Sequence, residues 1–216
     1  MVKLVLLILV CAAIAQSFQQ SQQLTIRRID GQTLSSSDIP KVKLKFDRGF
    51  KYAGTQSFVL YDVANAEQHF FVDASGDGRI KRLYWIQFEG YLPNNSHTYR
   101  YQPNKVVKIG HLEFIADAYA RNIKNAPNRS GSDGSRAQEF LKSKGFTIGD
   151  EIIMQRLVHL TDDTKRNELM IIYLEDLGAQ GMTAAELAPG GSKAANWSAV
   201  SDALLARAIK GMKVSN

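Results

Sequence analysis

The chain has 216 residues, of which 44% are apolar and 22% charged, with a formal net charge of +6 and a single cysteine, Cys11. This composition fits one globular domain able to bury a core without staples, and it excludes collagen-like, low-complexity and disulfide-scaffold chains. Cys11 lies in a segment expected to be removed, so disulfides, cysteine-ligated zinc, iron–sulfur clusters and cysteine nucleophiles are excluded from the trimmed protein.

Residues 1–15 read as a secretory signal: Lys3 is basic, Leu4 to Ala15 is unbroken apolar sequence, and Ala13-Ile14-Ala15 matches a cleavage pattern. Twelve apolar residues fall short of the roughly twenty that span a bilayer. The expected location is secreted or periplasmic, with no membrane span left after cleavage. Loss of Lys3 leaves 26 basic against 21 acidic residues, a balance of +5. Those charges are spread along the chain, which points to solubility and not to a nucleic-acid partner.

Residues 16–39 are polar and rich in Gln and Ser, a flexible lead-in to one domain over 40–216. Lys41 to Phe46 alternates strictly: Val42, Leu44 and Phe46 face a core, and three lysines face water, as a guarded edge strand would arrange them. The same lysines would serve an envelope structural partner that docks on a polyanion. Strands at about 56–63, 67–73 and 79–90 are joined by short turns, so a meander follows. Its third strand carries the longest alternation in the chain, with Ile80, Tyr84, Ile86 and Phe88 on one face, Arg82 breaking that set, and Leu83, Trp85 and Gln87 on the other.

Tyr99, Tyr101 and Val106–Ile109 suggest a further hairpin or irregular strands. Leu112, Ile115, Tyr119 and Ile123 fall at helical spacing, with Asp117 and Arg121 as an i,i+4 pair. Ser135 and Gln138 predict a capped helix over 136–144 ending at Gly145. Glu151–Leu160 and Asn167–Asp176 are apolar on both faces and belong in the middle of a sheet. Thr183 with Glu186 caps a short helix, and Trp197, Val200, Leu204 and Ala208 stripe a last one to Lys210. The fold class is α+β: an antiparallel sheet of about six to seven strands, a meander plus a C-terminal hairpin, packed by three to four helices.

Chemistry is sparsely signalled. Asp73-x-Ser75-x-Asp77-Gly78 resembles the start of a calcium loop, but Tyr84 stands where a bidentate Glu is needed and the flanks are strands, so a hairpin turn explains the residues better. His69, His97, His111 and His159 show no metal-helix spacing. A His/carboxylate pair assembled in space at His97 or His111 would make the protein an exported hydrolase. Glu89, Glu113, Asp117 and Asp176 are carboxylates without a pattern. No G-x-S-x-G or phosphate-cradling glycine loop occurs, and no cofactor is expected. Asn94, Asn128 and Asn196 stand in N-glycosylation patterns. The one feature with chemical pull is aromatic: Tyr84, Trp85, Phe88 and Tyr91, with Tyr99 and Tyr101 nearby. Such rings stack on sugars or line an apolar pocket. The expectation is a monomeric, non-catalytic domain that binds a small molecule, glycan or protein on that strand.

Overall fold

A computed structural model describes residues 26–102 and 105–216. The expected signal and the first part of the lead-in lie outside the described residues. Among these residues eleven strands and three α-helices follow one another: β1 Arg27–Asp30, β2 Thr33–Ser36, β3 Val42–Phe46, β4 Lys51–Leu60, β5 Ala64–Ala74, β6 Ile80–Tyr91, β7 Val106–Ile109, β8 Leu112–Asn122, α1 Asp133–Ser143, β9 Glu151–Leu160, β10 Asn167–Asp176, α2 Ala184–Leu187, α3 Trp197–Lys210 and β11 Met212–Ser215. The fold is mixed α+β, with two antiparallel sheets. The larger has the order β4-β5-β6-β10-β9-β8-β7 and the smaller β1-β2-β3-β11.

The meander is β4-β5-β6, and the doubly apolar hairpin β9–β10 sits mid-sheet, with β10 between β6 and β9. Alternate β10 residues serve two different cores. Leu169, Ile171 and Tyr173 point to one, while Met170, Ile172 and Leu174 point to the other. The first core lies between the large sheet and the small sheet with α3. Phe46 meets Phe71 and Tyr84 at 4.3 and 4.8 Å between ring centres, and Phe50 meets Tyr84 edge-on at 4.8 Å. The second core lies under α1, where Ala137 and Leu141 are buried and Phe140 stacks on Phe70 at 5.1 Å.

Arg82 breaks the β6 pattern because of a bulge. Asp73 pairs with Arg82, but the next β5 residue, Ala74, pairs with Ile80. One extra β6 residue flips the phase, so Ile80 joins the core of Leu83 and Trp85 and not that of Tyr84. Arg82 is held by Asp73 at 2.8 and 2.5 Å.

Several expectations need correction. The segment 112–123 is strand β8, not a helix. Leu112, Phe114 and Ala116 alternate inward within the same stretch that places Leu112, Ile115 and Tyr119 at helical spacing, and the free edge of β9 selects the extended form by pairing over Ile115–Asn122. Asp117 accordingly bonds Arg156 across the sheet, at 3.0 and 2.5 Å, and not Arg121. The lead-in is partly ordered: Arg27–Ser36 is a hairpin with Leu34 fully buried, its polar residues forming the wet face of a half-buried sheet. Strand β3 is not an edge, because β2 and β11 flank it. Helix α1 is capped three residues earlier than expected, with Ser132 Oγ accepting from the Ser135 amide at 3.1 Å. The Thr183/Glu186 capping box is present, with the Thr183 amide donating to Glu186 at 2.8 Å.

The turn before β6 depends on Gly78. Its φ is +84°, and a Cβ there would collide with the Gly145 carbonyl. The Thr147 amide donates to the Gly78 carbonyl at 3.0 Å, so the turn also anchors the segment after α1. Gly78→Ala is expected to destabilise the protein by about 2 kcal/mol or more, read from a urea midpoint.

Candidate functional site

The large sheet's second face carries, from β5 to β8, an apolar floor roofed by α1. A cavity of about 230 Å³ opens between them. Trp85, Met154, Met170 and Ile172 form part of its floor, and Ala137 and Leu141 part of its roof. Period two in β6 and β10 sets the floor, since Trp85 lies directly across from Ile172 and Gln87 from Met170. Two methionines make the wall adaptable, because a thioether chain repacks at little cost.

Trp85 is 7% exposed, and its indole Nε1 is buried without a hydrogen-bond partner among the described residues. An orphaned buried donor costs about 1–3 kcal/mol, so native proteins keep few of them. Arg156 and Arg121 stand at the rim. Arg156 is neutralised by Asp117 and lies over the Tyr101 ring at 5.4 Å. Arg121 donates to the Ala126 and Pro127 carbonyls and to Asn128 Oδ1, all at 2.8–2.9 Å.

Beyond the cavity the same face turns polar in an ordered way. Gln56 donates to Gln68 at 2.7 Å, Gln68 to Gln87 at 2.8 Å, and Gln87 to Glu89 at 2.6 Å. Glu89 also accepts from the Tyr99 hydroxyl at 2.7 Å. Directly across from it on β10 stands Glu168, 3% exposed, which accepts from Tyr101 at 2.6 Å. Burial raises the pKa of both carboxyls, and the hydrogen bond that each accepts from a tyrosine hydroxyl offsets part of the rise. Glu168 reaches about 8, with burial outweighing the Tyr101 hydrogen bond and the nearby Glu89 charge adding to the rise. Burial raises Glu89 as well, against the pull of the hydrogen bonds that Tyr99 and Gln87 donate to it. Burial and the neighbouring Glu89 charge thus favour the protonated form of Glu168 well above the usual carboxylate range. The loop after β6 is strapped over this pair by Tyr99 and Tyr101, with Tyr91 stacked on Tyr99 at 4.5 Å.

The sheet separates the four aromatic candidates. Trp85 borders the cavity and Tyr91 lies at the rim of the polar belt. Tyr84 and Phe88 face the opposite core: Tyr84 is fully buried, and Phe88 lies under the Arg27 guanidinium at 3.9 Å. Asp73 is taken by Arg82, and the Ser75 hydroxyl donates to Asp77 at 2.6 Å, which makes that turn self-satisfied. Among the described residues, no group of three or more His, Cys, Asp or Glu is placed to hold a metal ion.

His97 and His111 have no acidic hydrogen-bond partner among the described residues, so the expected hydrolase pair does not form there. The pair that does form is His69 with Glu67 at 2.7 Å, completed by Tyr52 at 3.2 Å. Both His69 and Glu67 are buried, away from a cleft, and burial pushes the Tyr52 hydroxyl up to about 12, which rules it out as a nucleophile at neutral pH.

Comparisons with protein-family profiles, with curated proteins and with solved structures find no match. The site therefore rests on its own geometry. Sequence reasoning picked out Trp85 but missed Gln68, Gln87 and Glu168. Their only signal was polar side chains at the inward phase of otherwise apolar strands, and it becomes legible once the β5-β6-β10 register is known.

Proposed function

We propose that the protein is a non-catalytic binding domain. It takes a small, mostly apolar ligand carrying one hydrogen-bond acceptor into the cavity between α1 and the large sheet. The observation that carries this reading is the buried, unpartnered Trp85 Nε1 in a residue that borders that cavity. An acceptor on the ligand would satisfy the donor. The volume of about 230 Å³ lies below that of drug-sized sites and above that of a cavity known to hold benzene, so the ligand has one or two rings or the equivalent chain. Secretion or a periplasmic location belongs to the same proposal and is supported by the residue pattern over 1–15.

The test uses Trp197→Phe as background, leaving Trp85 as the sole indole. Small aryl ketones and the matching hydrocarbons are titrated while emission and Tm are followed. The ketones are expected to shift Trp85 emission and raise Tm. Trp85→Phe should weaken ketone binding about tenfold and leave hydrocarbon binding nearly unchanged, because only the donor is lost. Equal affinities in the two proteins would place the site elsewhere.

A further inference from the structure

We propose that the outward face of the smaller sheet is an adsorption surface for an anionic lipid bilayer. It does not depend on the cavity under α1. Strand register lays the outward side chains in two rows. One row is Arg28, Ser35, Lys43 and Ser215, and the other is Asp30, Thr33, Lys45 and Lys213. Four cations face one anion, and all five charged residues are exposed. None of the four cations forms an ion pair among the described residues, whereas Arg79, Arg82, Arg156 and Arg207 elsewhere each have a carboxylate.

Lys45 stands directly opposite Lys213 on the neighbouring strand. Like charges in that position destabilise a sheet, and opposite charges there would stabilise it. The apposition costs the fold something and returns nothing inside the molecule. A negatively charged partner would remove the repulsion and convert it into attraction.

The shape of the array indicates the partner. Three strand spacings of about 4.8 Å separate Arg28 from the β11 position across from it, and the two rows are about 7 Å apart. These charges fall within one to two Debye lengths at physiological salt, so their fields add. The array is broad and flat, with Ser and Thr between the charges and no aromatic residue at the eight outward positions. A nucleic acid would be met by stacking rings or a groove, and a linear glycan by a single stripe. A bilayer presents many headgroups at one level, and lysine ammoniums take them as point charges without a fixed geometry. Each lysine near an anionic surface contributes on the order of 1 kcal/mol, or about fivefold in affinity.

The experiment co-sediments the full chain with phosphatidylcholine vesicles, alone or containing 30 mol% phosphatidylglycerol, over a series of salt concentrations. Binding is expected only to the anionic vesicles, and it should fall steeply with salt. Lys43→Gln with Lys213→Gln should weaken it about 25-fold, while Lys124→Gln with Lys142→Gln, on the other side of the molecule, should not. Lys45→Glu supplies an independent readout: it should weaken adsorption and at the same time raise Tm, because a like pair becomes an opposite pair. Failure of the wild-type chain to bind anionic vesicles overturns the proposal. So does equal binding by the Lys43/Lys213 variant, or tighter binding to heparin or duplex DNA than to the vesicles.

Discussion

Glu168→Gln is expected to flatten the dependence of unfolding free energy on pH. The carboxyl rises from an ordinary 4.5 to about 8 in the folded protein, and burial against Glu89 is the cause. Between those two values the folded state holds a proton that the unfolded state has released, so stability falls as pH increases. The contribution is complete below pH 4.5 and gone above about 8, a span of about 5 kcal/mol at most. Glutamine keeps the acceptor for Tyr101 and cannot ionise. The variant should match the wild type near pH 4.5 and exceed it by several kcal/mol near pH 8.5, in urea unfolding at both values. Parallel pH profiles would show that folding leaves the Glu168 carboxyl at its ordinary pKa.

Tyr84 presents the opposite case, an aromatic residue that attracts a binding role in the sequence and is given a structural one by the fold. Its ring touches Phe46, Phe50 and Tyr173 within 4.8 Å, and its hydroxyl donates to the Ala208 carbonyl at 2.6 Å. Ala208 lies in the last turn of α3, where carbonyls have no partner within the helix. Tyr84 thus fixes α3 to the large sheet. Tyr84→Ala should cost about 4 kcal/mol through the cavity it leaves. Tyr84→Phe should cost about 1–2 kcal/mol through the unsatisfied carbonyl. Neither change should alter ketone affinity by more than about twofold in whatever fraction remains folded, since the ring faces away from the cavity. A large affinity loss in Tyr84→Phe would mean that the two cores are coupled through the sheet.

Strands buried on both faces were legible because nothing else tolerates so long an apolar run: β9, β10 and most of β6 fall where the pattern places them. Helix α3 was legible for the matching reason, a stripe ended by Gly211. The ambiguous segments were those whose partners lie far off in the chain. Leu112–Asn122 satisfies both periodicities, and the waiting edge of β9 decides between them. Arg27–Ser36 looks like linker because only two of its residues, Ile29 and Leu34, are apolar, and the surface they need is supplied by β3. The site divides in the same way. Trp85 was visible as a large ring on a long strand, whereas its roof and the Glu89–Glu168 apposition exist only through strand pairing and the placement of α1.

Strand β11 completes the smaller sheet by pairing with β3, so residues near the end of the chain close a layer opened near its beginning. Until those last residues are made, Val42, Leu44 and Phe46 lack part of their cover, and long-range pairing of this kind is slow to nucleate. While the chain is being made, this apolar layer therefore stays open until β11 has been added. Chaperones that capture nascent chains have a longer period in which to act than a fold built from local contacts would allow.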